Sequence, residues 1–126
     1  EIKEGGFEKK IVEMVRNNKN IILISFKPMV LRKIKKLNPL QETGFIFRTY
    51  IHNMPGFLYL HRQLKVEWLF VMNGSVLKSF IPKAKKNNFK VVVWTADNYD
   101  DMLKHRKFNL DGISTNHPDL FKYLFD

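Results

Sequence analysis

The chain has 126 residues, of which 44% are hydrophobic and none is cysteine, and it carries a formal net charge of +10 at pH 7. Without cysteine it can form no disulfide framework, thiolate metal site or cysteine nucleophile, which suits a reducing compartment and leads us to expect a cytoplasmic location. No apolar run approaches the roughly 18 residues that a membrane span requires, and the length fits one globular core rather than two domains. The positive charge favours anionic partners such as nucleic acid, phospholipid surfaces or phosphorylated substrates.

The first residues predict a strand followed by a helix. Residues 1–3 alternate polar and apolar side chains, as a strand with two different faces does, and Gly5-Gly6 then ends the strand. Apolar residues at helical spacing begin at Phe7 and predict a helix that ends at residues 17–18. The charged residues of that helix, Glu8 among them, are expected on its solvent face.

A buried strand and a second amphipathic helix follow. Residues 21–26 form a continuous apolar run with a single serine, which is typical of a strand buried on both faces of a parallel sheet. Pro28 suits the first turn of the next helix, and Asn38-Pro39 ends it. We expect this helix to bury an apolar stripe (Val30, Leu31, Ile34 and Leu37) and to expose a basic face (Arg32, Lys33, Lys35 and Lys36).

The centre of the chain predicts two more strands and a third helix. The strands are expected at residues 44–50 and 66–71, separated by a loop at residues 51–65 that has room for one helical turn. The helix should begin at Ser79, because the proline that follows is tolerated only among the first amides of a helix. Asn88 then stands where a left-handed residue is wanted at the helix end.

The last third of the chain has the clearest element signals. Residues 90–95 are a β-branched run that predicts a strand, and Asp97 is the expected cap of the next helix. That helix has acidic residues in its first turn (Asp100 and Asp101) and basic residues in its last (Lys104, His105, Arg106 and Lys107), which matches its macrodipole. Residues 112–115 predict a last strand, and residues 119–125 a short final helix.

The alternation of strands and helices predicts a parallel α/β architecture. Periodicity alone fits two versions of it, an open doubly wound sheet and part of a closed barrel. Both are built from right-handed β/α steps, so the pattern leaves the choice open.

Four short motifs narrow that choice. In chain order they are Glu1-Ile2-Lys3, Ser25-Phe26, Val-x-x-Trp-Thr at residues 91–95, and Asp-Gly-Ile-x-Thr-Asn-x-Pro at residues 111–118. Together they resemble the glycerophosphodiester phosphodiesterase family over nearly the whole chain. The resemblance implies a parallel TIM-type (β/α) barrel and favours it over the open sheet. Ser114 departs from the pattern, because the closing strand of the family usually has an aliphatic residue there.

The resemblance also implies that part of the barrel is missing. The family's His-Arg-Gly, Glu-x-Asp and His-Asp motifs lie upstream of the Glu-Ile-Lys strand, and here that strand starts at the first residue, a glutamate. We therefore expect residues 1–126 to be the C-terminal part of a single phosphodiesterase barrel domain. The N-terminal catalytic strands would be absent from this chain, which leaves it with no catalytic residue of its own.

Five residues acquire site roles from the resemblance. It implies that Glu1 is a ligand of a divalent cation, magnesium or calcium, and that Lys3 contacts the phosphate. It places Phe26 in the lining of the pocket and Trp94 in the wall beside the glycerol group. Asn116 is either a pocket contact or a plain turn residue. The residues alone favour solvated side chains for Glu1 and Lys3. A core aromatic is the alternative for Trp94, and it is compatible with a place in the pocket wall.

Other polar groups point to no site. His61-Arg62 is not followed by glycine and falls at the wrong place in the strand order for the family's His-Arg-Gly. All four histidines (His52, His61, His105 and His117) lack metal-ligand spacing and are expected on the surface or in loops. Gly5-Gly6 matches neither common phosphate-loop pattern. The basic clusters at residues 32–36 and 83–86 are expected to be solvated faces, since no aromatic residues interleave with them.

The resemblance implies metal-assisted hydrolysis of glycerophosphodiesters to glycerol 3-phosphate and an alcohol by the full-length protein. The substrate would be a small-molecule phosphodiester, and the missing half of the barrel would be the main partner of this chain. The alternative is a non-catalytic basic α/β module that binds nucleic acid or another polyanion. The two differ in salt dependence, because binding through many lysines weakens steeply with ionic strength.

Overall fold

The computed structural model describes residues 1–48, 56, 59–74 and 77–125. Strands and helices alternate along these residues. The elements are α1 (Glu8–Val15), β1 (Leu23–Ser25), α2 (Pro28–Leu37), β2 (Thr43–Ile46), a π-helical turn (Leu60–Leu64), β3 (Trp68–Met72), α3 (Leu77–Lys86), β4 (Lys90–Trp94), α4 (Tyr99–His105), β5 (Gly112–Ile113), a 3-10 turn (Pro118–Phe121) and α5 (Lys122–Phe125). No helix in the described ranges is long and apolar enough to cross a membrane.

The strands form one parallel sheet in the order β1-β2-β3-β4-β5. Each new strand therefore lies beside the one before it in sequence. A doubly wound sheet would reverse its direction of growth at a switch point, whereas a barrel adds strands in one direction. The described strands have no such reversal, so the sheet is a barrel segment and the open doubly wound alternative is set aside.

The predicted first strand is wrong as a strand, although it lies close to the sheet. The Ile2 amide donates to the Ile24 carbonyl at 2.8 Å, and the Ser25 hydroxyl donates to the Ile2 carbonyl at 2.7 Å. The Ser25 hydroxyl thus donates to Ile2 where a backbone amide would donate in a regular parallel ladder. Residues 1–3 lie along the outer edge of β1, anchored by the buried Ile2.

The strand register separates two faces of the sheet. Leu69, Val71, Val91 and Val93 are fully buried and belong to the main core, which packs under α2, the π-helical turn and α3. The alternate positions of β3 (Trp68, Phe70 and Met72) are half-buried and line the inner face of the sheet. In a closed barrel that inner face would be filled by side chains from the remaining strands.

Two charged helix residues predicted on solvent faces are buried. Glu8 is only 3% exposed and Lys35 only 7%. Lys35 donates to the Gln41 carbonyl at 2.7 Å and pairs with Glu67, which in turn accepts from the Thr43 amide at 2.9 Å. These contacts fasten α2 to the edge where the strands begin. The apolar stripe of α2 is confirmed at Val30, Leu31 and Ile34, but Leu37 is exposed.

Two predicted helix starts are also wrong. Helix α3 begins at Leu77, so Ser79 lies inside it. Helix α4 is capped by Asn98, whose Oδ1 accepts from the Asp101 amide at 2.9 Å, and not by Asp97. Asn88 does have the left-handed backbone predicted for it, with φ of 60°.

The remaining element predictions are confirmed in place, with shifted ends. Strands β1 to β5 lie within or overlap the five downstream segments predicted from the sequence, and the final helix is present as the 3-10 turn and α5. The end of the predicted strand 44–50, most of the predicted loop and His52 lie outside the described residues.

Candidate functional site

Because all five strands are parallel, their carboxyl ends meet at one edge of the sheet. We call this the carboxyl edge; it comprises the residues that follow each strand, together with Lys3 beside β1. Barrel enzymes place their active sites at this edge, where several strand ends converge. All five site residues predicted from the sequence lie near it.

An aromatic pair joins two strand ends that are not neighbours. The rings of Phe26, after β1, and Trp94, at the end of β4, meet edge to face with centroids 5.7 Å apart and planes at 80°. Both side chains are half-buried. The pair therefore crosses the concave face above β2 and β3 and makes an apolar wall that remains open to solvent on one side.

Two polar groups accompany this aromatic wall. The Trp94 Nε1 atom is buried and has no hydrogen-bond partner among the described residues. A buried indole N–H usually has an acceptor, so this donor is available to an oxygen atom from a ligand or from another part of the barrel. The Arg48 guanidinium lies over the Phe26 ring, 4.7 Å from its centroid.

The two predicted phosphate and metal contacts flank the wall on the β1 side. Glu1 and Lys3 are both exposed, and the buried Ile2 between them fixes their backbone beside β1. A hard cation requires several oxygen ligands. In the described part of the chain, no group of three acidic, histidine or cysteine residues could hold a metal ion. These residues therefore do not fit a complete metal site, and Glu1 could supply one ligand at most.

Asn116 ties two loops of the carboxyl edge together. Its backbone amide donates to Asp97 Oδ1 at 2.7 Å and its side-chain Nδ2 donates to Asp97 Oδ2 at 2.8 Å. The Thr115 hydroxyl adds a third bond to Asp97 at 3.2 Å. The bonds from Asn116, the backbone amide first, lower the pKa of the Asp97 carboxyl. Asn116 thus organises the loop after β5, and its role as a pocket contact stays a prediction.

A partly buried polar cluster lies behind the edge and is not predicted by any sequence pattern. Asn73, after β3, donates from Nδ2 to Asp101 Oδ2 at 2.9 Å, and its Oδ1 accepts from His105 Nε2 at 2.9 Å. His105 is 5% exposed, so the prediction that all histidines are on the surface is wrong for it. Asn73 Nδ2 also reaches the Thr95 carbonyl at 3.3 Å. The cluster therefore supports the backbone next to Trp94.

The electrostatics of this cluster follow from burial. Burial lowers the pKa of His105, Asp101 opposes that shift and Lys104 adds to it. Hydrogen bonds from Asn73 first, then from Asn98, lower the pKa of Asp101. His105 Nε2 donates to Asn73, and the buried Nδ1 atom of the same ring has no partner among the described residues. No sequence spacing marks this cluster, since Asn73 comes from a distant element.

Comparison with known proteins identifies the family of this chain. The model of the glycerophosphoryl diester phosphodiesterase family matches residues 5–120. The chain belongs to this family. The prediction of the family from its four motifs is thereby confirmed. A curated relative, the glycerophosphodiester phosphodiesterase of Caldanaerobacter subterraneus subsp. tengcongensis, is 28% identical over 127 aligned positions, which cover 94% of this chain and 51% of the relative.

Solved structures show the same fold. A phosphodiesterase from Oleispira antarctica, in complex with the product sn-glycerol-3-phosphate, has a TM-score of 0.81 and 19% identity, covering 96% of this chain and 51% of that one. The glycerophosphodiester phosphodiesterase of Thermotoga maritima has a TM-score of 0.71 and 20% identity, covering 91% and 51%. These likenesses confirm the barrel fold. The chain spans about half the length of each of these relatives.

Proposed function

We propose that these residues are the C-terminal part of one phosphodiesterase barrel domain, and that the complete protein hydrolyses glycerophosphodiesters to glycerol 3-phosphate and an alcohol. The observation that carries the proposal is the family match over residues 5–120. The sheet supports it, because the five parallel strands of the described residues are too few for a barrel of about eight. The missing strands would supply the catalytic groups.

In this proposal the chain binds and orients the substrate. Lys3 offers a point charge to the phosphate, Trp94 forms the apolar wall beside the glycerol carbons, and Phe26 lines the pocket next to it. The unpartnered Trp94 N–H would donate to a glycerol hydroxyl. Asn116 holds the loop after β5 against Asp97, which shapes the rim.

The proposal includes a divalent cation, magnesium or calcium, that Glu1 helps to hold. The other ligands must come from outside the described residues, since these contain no sufficient group. Bound there, such a cation would neutralise charge on the phosphoryl oxygens. We expect the complete protein to act in the cytoplasm on a small-molecule substrate.

The alternative of a polyanion-binding module is weakened by the ion pairs of the basic clusters. Lys33 pairs with the buried Glu8 at 2.8 Å, Lys35 is itself buried, and Lys85 pairs with Asp111. These three lysines of the basic clusters are thus engaged within the chain and are not free to contact nucleic acid. A salt titration would support this alternative if binding to DNA or RNA were tight and fell steeply with ionic strength.

The proposed role of Glu1 is tested in the complete protein by Glu1→Gln. The change keeps the shape of the side chain and removes the charge that a hard cation needs. We expect turnover of glycerophosphodiesters, followed by phosphorus NMR, to fall at least tenfold at limiting metal, with an unchanged melting temperature. Glu4→Gln, an exposed carboxylate on the same segment, is the matched control. Equal turnover of the two variants would remove Glu1 from the ligand set.

A further inference from the structure

The Arg48 guanidinium lies over the ring of Phe26, which is part of the proposed substrate wall. Arg48 follows Phe47, whose amide donates to the Phe70 carbonyl at 3.0 Å and continues the β2–β3 ladder past Ile46. The base of the Arg48 side chain is thereby fixed at the carboxyl edge. Its exposed guanidinium lies 4.7 Å from the centroid of Phe26, and Phe26 meets Trp94 edge to face.

Strand order places Arg48 and Lys3 on opposite sides of Phe26. Residues 1–3 lie along one edge of β1, and β2 pairs with the other. A phosphodiester held by Lys3 against Trp94 thus has its phosphate on one side of the Phe26 ring and Arg48 on the other. In the proposed binding mode, with the glycerol arm on Trp94 and the phosphate at Lys3, Arg48 faces the second ester arm of the substrate, which ends in the alcohol that is released.

The stacked guanidinium decides which alcohols suit that position. An aromatic face is the surface on which a protein binds a quaternary ammonium group, and here the protein's own cation covers it. An alcohol with a trimethylammonium group would lose this face and be repelled by Arg48. Hydroxyl and carboxylate oxygens, in contrast, can accept from the guanidinium N–H groups.

We propose that Arg48 and Phe26 form the subsite for the alcohol group, and that this subsite selects glycerophosphodiesters whose alcohol carries no positive charge. The inference rests on the proposed function and specifies its substrate class. Arg48 acts by direct contact with the substrate, and the planar guanidinium stacked on Phe26 is held ready for that contact.

The test compares two diesters in the complete protein, glycerophosphoglycerol with a neutral alcohol and glycerophosphocholine with a cationic one. The unchanged protein should prefer the first in kcat/KM by about tenfold, the size expected for one like charge several Å away across a half-solvated gap. Arg48→Gln should abolish most of this preference by raising kcat/KM for glycerophosphocholine. Arg48→Lys, which keeps the charge, should retain it. Arg16→Gln, an exposed arginine after α1 and far from the carboxyl edge, is the control.

The possible outcomes distinguish a failure of the alcohol subsite from a failure of the proposed function. Hydrolysis of both diesters with equal kcat/KM by the unchanged protein would overturn the subsite and leave the proposed function standing. An equal fall for both diesters in Arg48→Gln would make Arg48 a phosphate contact and overturn the selection. Hydrolysis of neither diester would overturn the proposed function and the subsite with it. Arg48 is exposed, so the variants should fold, which melting temperatures would verify.

Discussion

The side-chain orientations of single residues at the carboxyl edge are fixed by hydrogen bonds to residues of other elements. Asn73 is the clearest case, because its amide joins β3 to α4 through Asp101 and His105 and to the residue after β4 through Thr95. The carboxylate fixes the orientation of the amide, and the amide fixes the proton of the imidazole on Nε2. The end of β4, and with it Trp94, is thereby held from behind.

His105 should make the stability of the protein depend on pH. Burial lowers its pKa in the folded state, so the unfolded chain binds the proton more readily. The stability that the neutral ring contributes is present above the unfolded pKa of about 6.5 and is lost as pH falls toward the folded value. We predict that the urea midpoint of the complete protein falls between pH 7.5 and pH 5.5.

The matched variant for this prediction is His105→Gln, which keeps a donor for Asn73 and cannot titrate. It should show a smaller fall over the same pH range, because the other histidines are common to both proteins. Parallel pH profiles for the two proteins would show that His105 does not carry the effect. The carboxylates with lowered pKa, such as Asp101, contribute to pH dependence only at lower pH.

At the scale of elements, the start of α4 shows how a local signal can select the wrong residue. Asp97 and Asn98 are both good capping residues. Asp97 is drawn into three bonds with Thr115 and Asn116, which leaves Asn98 to cap the helix. The sequence contains both candidates, but the competing loop is far along the chain.

We predict that Asn98→Ala lowers the free energy of unfolding by about 1 kcal/mol, the usual cost of removing an N-cap side chain. Urea denaturation of the complete protein measures it. Asn109→Ala, an exposed asparagine beyond the same helix, is the control and should change the midpoint little. If the two variants were equally stable, the cap would not be Asn98.

Sequence patterns report burial within one element and do not report contacts between elements that are distant in the chain. Apolar periodicity located the five sheet strands and both amphipathic helices, because it reports burial within one element. It put Glu8 and Lys35 in solvent, since it treats every charge as exposed. Their partners, the Gly6 amide and Lys33 for Glu8 and Glu67 for Lys35, become visible only in three dimensions. The Phe26–Trp94 contact was likewise predictable as two motif residues and not as a pair.

At the scale of the whole molecule, the described sheet has strand edges without a full set of backbone hydrogen bonds. In the described part of the chain β5 pairs with β4 alone, and on the other side of the sheet only residues 1–3 cover β1. Unpaired strand edges and a half-buried apolar inner face favour association with other chains. The proposed missing strands would cover both.

The central claim is that these residues bind substrate in a barrel whose remaining strands supply the catalytic groups. Its most direct test is to express residues 1–126 alone and to measure mass by light scattering together with turnover of glycerophosphoglycerol and of glycerophosphocholine across magnesium and calcium concentrations. We expect an associating or aggregating chain with no turnover of either diester at any metal concentration. A monodisperse monomer that melts cooperatively and hydrolyses the diester would contradict it.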